Sequence, residues 1–311
     1  MKRTFLLLTL FFPSLLFGQT VISIKNGTIN PVTAEFIQHA IEKAQNEKAE
    51  CLIVYLNTPG GLLKSTRVIV SEILESSIPV VVYVSPGGAH AGSAGVFITL
   101  AAHIAVMSPG TNIGAAHPVD MQGERDTIMN LKATNDAAAF IRSIAEKRKR
   151  NWQWAEEAVE KSLSITENEA LEKNVIDMVA KNTQDLLHQI DGKNIEVSSG
   201  TKTLRTKGAK MVALEMGSLE KILDTLSDPN IAYILMLLGL YGFVFELYNP
   251  GAILPGIVGV ICLILAFYAM HTLPINYAGL ALIIFGIVLF LLEIKIVSHG
   301  VLAIGDRKSV V

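Results

Sequence analysis

The sequence is poor in charge, and what charge it has nearly cancels: 17% of its 311 residues are Asp, Glu, Lys or Arg, with a formal net charge of −2. Nucleic-acid binding needs positive charge concentrated on one face. The one dense cluster, Lys147-Arg148-Lys149-Arg150, reads as a solvated helix end, so no nucleic-acid partner is expected. Cysteine is scarce too: Cys51 lies in an apolar strand-like run and Cys262 in a lipid-like run, which gives no basis for a disulfide framework. The histidines are scattered, with neither HExxH nor paired-ligand spacing, so neither a metal nor a cofactor is expected.

Apolar residues are abundant instead. They make up 50% of the chain, and a mean hydropathy of +0.43 is too apolar for an ordinary soluble domain, so part of the chain is expected in lipid. Lys2 and Arg3 precede an apolar run over residues 5–16 and then Phe17-Gly18-Gln19, the pattern of a secretory signal ending near residue 18. Three apolar stretches near spanning length follow at 231–248, 252–270 and 277–296, broken at Asn249-Pro250-Gly251 and His271-Thr272-Leu273-Pro274. The expected organisation is a signal at 1–18, an exported domain at 19–228, a transmembrane region at 229–305 and a short tail at 306–311. With the domain outside, three spans leave Lys295, Arg307 and Lys308 in the cytoplasm, as the positive-inside tendency asks. Glu246 and Glu293 fall near span ends and are read as interfacial.

Within 19–228, strand and helix patterns alternate. A strand at 21–25 leads to a helix capped by Thr33, and a continuous apolar strand at 51–56 ends at Asn57-Thr58-Pro59-Gly60-Gly61 before a second helix. A strand at 80–84 enters Ser85-Pro86-Gly87-Gly88-Ala89-His90-Ala91-Gly92-Ser93-Ala94-Gly95, a helix follows, and a strand spans 104–107. Such alternation predicts an α/β layer with a mostly parallel sheet, whose working groups collect at the carboxyl ends of strands. Two glycine-rich strand-to-helix turns then face one crevice. Ser93 is the candidate nucleophile, and Gly60 and Gly61 are candidate oxyanion donors. Serine needs a base. His90 precedes Ser93 by too little to point at it; His117, in Gly114-Ala115-Ala116-His117-Pro118, needs no pKa tuning; Lys132 serves only if burial favours its neutral form.

Downstream, Thr166-Glu167-Asn168-Glu169 is a capping-box pattern, residues 195–197 and 202–204 form a hairpin, and residues 214–226 form an amphipathic helix read as a packed connector.

Asn57-Thr58-Pro59-Gly60-Gly61, the Ser85–Gly95 run and Met107-Ser108-Pro109-Gly110-Thr111-Asn112-Ile113-Gly114-Ala115 together resemble the membrane-bound serine proteases of the NfeD family, relatives of the ClpP peptidases. The resemblance implies a ClpP/crotonase-like α/β domain followed by transmembrane helices. It implies a catalytic dyad of Ser93 and Lys132, with Gly60 and Gly61 as the oxyanion hole and His117 as the alternative base. It further implies an apolar peptide substrate from a stomatin-like membrane protein, a homo-dimer or higher oligomer in contact with membrane lipid, and a bacterial cell membrane with the protease domain on the exported side. Long members carry a soluble β-barrel after the membrane segments, which is not expected here. A signal-peptide-peptidase-like protease and a non-catalytic scaffold for a stomatin-like partner stay open as alternatives, while an acyl-CoA enzyme is disfavoured by the export signal.

Overall fold

The computed structural model describes residues 20–118, 127–249 and 253–269. The expected signal, the third apolar stretch with Glu293, and the tail lie outside the described residues. The chain divides into two compact units that meet in sequence between Lys221 and Ile222.

The first unit is the expected α/β layer. Strand β1 (Thr20–Asn26) leads into α1 (Pro31–Asn46), β2 (Cys51–Leu56), α2 (Leu63–Glu75), β3 (Val80–Val84), β4 (His90–Gly92) and α3 (Ala94–Ala101). Next come β5 (Ile104–Met107), β6 (Asn112–Gly114), α4 (Thr127–Lys147), α5 (Trp152–Glu160), β7 (Ser164–Thr166), α6 (Glu167–Glu172) and β8 (Met178–Val179). The unit ends with α7 (Thr183–Ile190), β9 (Asn194–Val197), β10 (Gly200–Thr203), β11 (Lys210–Ala213) and the start of α8 (Ser218–Leu226). Six strands form one sheet in the order β11-β1-β2-β3-β5-β8, every pair of them parallel. A second, smaller sheet has the order β4-β6-β7, with Ser93 directly after β4, and β9 and β10 form the expected hairpin.

The large sheet is apolar throughout because both faces are covered. Leu52, Val54, Leu56, Val80, Val82 and Val84 face a core shared with α1 to α5. Their neighbours Cys51, Ile53, Val81 and Tyr83 face a smaller core closed by Leu186 and Ile190 of α7. Strand alternation thus feeds two cores from one run of apolar residues.

Two local readings change. Helix α1 is capped by Asn30, whose side chain accepts the Thr33 N–H, while Thr33 occupies the third helical position and completes a capping box. The box at Thr166 and Glu169 forms as expected. The basic run is a solvated helix end only at Lys147 and Lys149, which are exposed. Arg150 is buried, and its guanidinium donates to the carbonyls of Leu100 (2.5 Å) and Ala102 (2.9 Å) and to Asp177 (2.6 Å). Arg148 Nε donates to the Ala101 carbonyl at 2.7 Å. Two cations therefore satisfy the terminal carbonyls of α3, where the negative end of the helix dipole attracts them.

In the second unit, α9 (Pro229–Tyr248) and α10 (Ile253–Ala269) form a close pair. A Cβ on Gly239 would stand 2.9 Å from the Gly259 carbonyl oxygen, and one on Gly242 would stand 2.9 Å from the Gly259 Cα. The Glu246 carboxylate fills the space beside Gly256. No single described helix is long and apolar enough to cross a membrane, but α8 and α9 together pass as a bent pair.

Candidate active site

Helix α3 is wholly buried, and Ser93 sits at its N-cap with φ +49° and ψ −110°. A non-glycine residue held in a sparsely populated region costs on the order of 1–3 kcal/mol and persists only where surroundings over-determine it. The surroundings do so here. Ser93 N–H donates to the Ala115 carbonyl at 3.1 Å, and the Ser93 carbonyl accepts Val96 N–H at 3.0 Å. The small flanking residues are needed for the same turn. A Cβ on Gly95 would stand 2.8 Å from Thr58 Cγ2, and one on Gly92 would collide with the His90 imidazole and lie 3.1 Å from the Pro59 carbonyl oxygen. Close packing and presentation of the candidate nucleophile are two consequences of one geometry.

The second glycine turn meets this elbow directly. Gly60 has φ +131°, and a Cβ there would stand 2.7 Å from Ser93 Cβ and 3.1 Å from Ser93 Oγ. Thr58 bridges to Ala91 in the β4 segment, with Thr58 N–H donating to the His90 carbonyl at 2.8 Å and Gly92 N–H to the Thr58 carbonyl at 2.9 Å. On its far side the turn is tied to Ile29, whose N–H donates to the Gly60 carbonyl at 2.9 Å and whose carbonyl accepts Leu62 N–H at 2.8 Å. The two candidate donors differ. Gly60 N–H is spent on Thr58 Oγ1 at 3.0 Å, whereas Gly61 N–H has no partner among the described residues. Sequence reasoning missed a further donor, the N–H of Ala94. It opens α3, where helix-start N–H groups lack intrahelical partners, and lies 3.7 Å from the Gly60 Cβ position. Its signal was there: it follows the nucleophile at a strand-to-helix elbow.

The candidate bases are placed less directly. Lys132 lies in the second turn of α4, is exposed, and makes no hydrogen bond or ion pair among the described residues. No described contact joins it to Ser93. Helix α4 itself is anchored one turn further on. Arg67 of α2 donates to Asp136 at 2.5 Å and stacks over the Phe140 ring at 4.1 Å, and Phe140 stacks on Phe97 of α3 at 5.6 Å. One cluster thereby ties the helix after the glycine turn, the helix of Ser93 and the helix of Lys132. His117 is fixed differently: its Nδ1 lies 2.9 Å from the Val159 carbonyl, and Ala116 N–H donates to the Ala158 carbonyl at 2.8 Å. With the proton on Nδ1, Nε2 is left as an acceptor. The His90 ring lies against Gly92, and its Nδ1 is buried without a partner among the described residues.

Behind α3, burial and then the charges of Arg148 and Arg150 push His103 down to about 3. Val80 N–H donates to its Nδ1 at 3.2 Å and Arg148 Nη2 lies 3.3 Å from its Nε2, so the doubly protonated ring would set an N–H against a donor at each nitrogen.

Comparison with known proteins places this geometry in context. The family model "NfeD1b, N-terminal domain" matches residues 20–215, and "NfeD integral membrane domain" matches residues 230–305. The chain is 33% identical over 312 residues to the membrane-bound protease PH1510 of Pyrococcus horikoshii, covering 98% of this chain and 71% of that one. It is 32% identical over 262 residues to the membrane protein NfeD1b of Bacillus subtilis, covering 84% of this chain and 58% of that one. Among solved structures it is similar to the 1510-N membrane-bound stomatin-specific protease, in a lysine-to-alanine mutant complexed with a substrate peptide. That match has a TM-score of 0.62 and 33% identity, and covers 68% of this chain and 99% of that one. A serine-to-alanine mutant of the same protease matches with a TM-score of 0.60 and 34% identity, over 65% of this chain and all of that one, 100%.

Proposed function

This chain belongs to the NfeD family, and we propose that it is a membrane-anchored serine endopeptidase that cleaves apolar segments of membrane-associated proteins. The observation that carries the reading is the strained Ser93 elbow, with the Gly60 backbone packed against its side chain. A packing turn needs small residues, but it does not need a strained serine beside an unpaired backbone N–H.

In this reading Ser93 Oγ attacks the scissile carbonyl carbon while Lys132 Nζ takes the hydroxyl proton. The carbonyl oxygen gains the negative charge and is received by the N–H groups of Gly61 and Ala94, in a preorganised site of the kind worth roughly 3–4 kcal/mol per donor. Gly60 shapes the turn, and its own N–H stays on Thr58. The C–N bond breaks as Lys132 returns the proton to the leaving amine, and water then hydrolyses the Ser93 ester. Lysine acts as a base only once desolvated. The exposed Lys132 therefore has to be covered in the bound state, and a peptide lying over the start of α4 is the natural cover. Use of a lysine is supported by the similar Pyrococcus protease, whose lysine-to-alanine mutant was captured with a substrate peptide. His117 is the alternative base, supported by the tautomer that its bond to Val159 permits.

The substrate class, an apolar stretch of a stomatin-like protein, follows from the specificity of that same relative. We further propose that residues 1–18 act as an export signal, that 19–228 form the protease domain outside the cytoplasm, and that 229–305 anchor it in the bacterial cell membrane. The direct test is cleavage of an apolar stomatin-type peptide by the full chain in detergent. Wild type is expected to cleave; Ser93→Ala and Lys132→Ala are expected to fall to background, and His117→Ala to retain activity. Full activity without Lys132 transfers the base role to His117, and full activity without Ser93 ends the proposal.

A further inference from the structure

Helix α8 stands apart from everything else in the first unit. Its nine residues, Ser218-Leu219-Glu220-Lys221-Ile222-Leu223-Asp224-Thr225-Leu226, include none that is buried. Leu219 is 69% exposed and Ile222 56% exposed. At 100° per residue, Leu219, Ile222, Leu223 and Leu226 fall within one narrow arc, and Glu220, Lys221, Asp224 and Thr225 fall on the other side. This is a sharply amphipathic helix whose apolar face is exposed at Leu219 and Ile222 and half-buried at Leu223 and Leu226. The expectation of a packed connector is not met.

Two residues of the polar side, Glu220 and Lys221, meet other residues of the first unit. Glu220 lines an open hollow with His39, Glu42 and Lys43 of α1, and Lys221 pairs with Glu215 at 3.1 Å. The leucine and isoleucine side enters neither contact. Two further facts say what covers that side. The family's integral membrane domain begins at residue 230, four residues after α8 ends, and the chain axis turns by 77° between α8 and α9. If α9 runs along the bilayer normal, α8 lies close to the membrane plane at the depth where the apolar region begins.

We propose that α8 is an interfacial helix, with its Leu219, Ile222, Leu223 and Leu226 face set into the acyl boundary of the bilayer and its Glu220, Lys221 and Asp224 face toward the headgroups and water. The occupant is lipid rather than a second protein. The helix carries two acids and one base, so its binding comes from apolar contact and does not call on anionic headgroups. This goes beyond the protease reading and stands or falls separately, because it needs only the membrane domain.

The experiment uses the full chain in phosphatidylcholine nanodiscs. Cys262→Ala removes one native thiol. Cys51 is left in place, since its buried thiol, pushed up to about 12, resists labelling. Single cysteines introduced in turn from residue 218 to residue 226 carry nitroxide labels, and collision with oxygen is compared with collision with a water-soluble nickel chelate. The expected result is a helical periodicity: a several-fold higher oxygen-to-nickel ratio at Leu219→Cys, Ile222→Cys, Leu223→Cys and Leu226→Cys than at Glu220→Cys, Lys221→Cys and Asp224→Cys, unchanged when phosphatidylglycerol is added. Nickel access at all nine positions, meaning a solvated helix, overturns the proposal. So does protection of the apolar positions from both reagents, meaning a protein partner, or deep lipid exposure at all nine, meaning that α8 is the first part of a broken span.

Discussion

Replacing Gly60 by alanine tests the catalytic geometry more sharply than deleting a side chain, because the perturbation is a single methyl group whose neighbours are known. The new Cβ would stand 2.7 Å from Ser93 Cβ and 3.1 Å from Ser93 Oγ, where ordinary carbon contacts lie at about 3.5–4.0 Å. Relief of that contact moves the nucleophile or the turn by about 1 Å, a displacement that costs on the order of 10²-fold in rate. The positive φ of +131° adds backbone strain of about 1–3 kcal/mol, or roughly 2–12 °C in Tm at 2–4 °C per kcal/mol. The control is Gly208→Ala, at φ +74° with nothing within 4 Å of the new methyl. It places a methyl at a positive φ without touching Ser93, and it is expected to lower Tm, by less than Gly60→Ala, while leaving cleavage intact. The assay is kcat/KM on an apolar peptide beside thermal melting of the same samples. Activity of Gly60→Ala within twofold of wild type, or an equal loss in Gly208→Ala, would refute the reasoning.

Arg150→Met should cost on the order of 3–5 kcal/mol in denaturant unfolding, since it leaves Asp177 and the carbonyls of Leu100 and Ala102 without their buried cation; a loss under 1 kcal/mol would show that α3 ends without it. For His103, the unfolded chain takes up a proton below 6.5, whereas the folded ring resists until about 3. The unfolded state binds more protons in that window, so stability is full above it and falls as pH drops through it. About 2–3 kcal/mol should be lost by roughly pH 4.5, and His103→Gln should flatten the slope. Arg67→Ala should leave stability nearly unchanged, because its exposed pair with Asp136 is worth under about 1 kcal/mol. It should nonetheless lower kcat by loosening α4, with partial rescue in Arg67→Lys. An unchanged kcat would remove Arg67 from the positioning of Lys132.

The parallel layer was legible because Cys51–Leu56 and Val80–Val84 are continuous apolar runs between helical patterns. Ser93 was legible because glycine and alanine surround it on both sides. What stayed hidden depends on contacts between distant residues. Lys147-Arg148-Lys149-Arg150 reads as a solvated cluster until α3 delivers its terminal carbonyls to Arg148 and Arg150 from about fifty residues away in sequence. The division of labour between Gly60 and Gly61 depends on the Thr58 hydroxyl, which takes the Gly60 N–H, and no glycine pattern encodes that. Asn30 displaced Thr33 as the cap because Pro31 favours the first helical position, leaving the residue before it to cap. The base was the least legible, since no repeating pattern relates Lys132 of α4 or His117, held by the Val159 carbonyl, to Ser93.

The central claim is that Ser93 is a nucleophile at a built oxyanion site. Prolonged labelling of the full chain with a fluorophosphonate, followed by peptide mapping, tests it most directly. One adduct is expected, on Ser93, that is lost in Lys132→Ala and strongly slowed in Gly60→Ala while both variants stay folded. An adduct on another residue, or an unmodified Ser93 in protein that cleaves peptide, would contradict it.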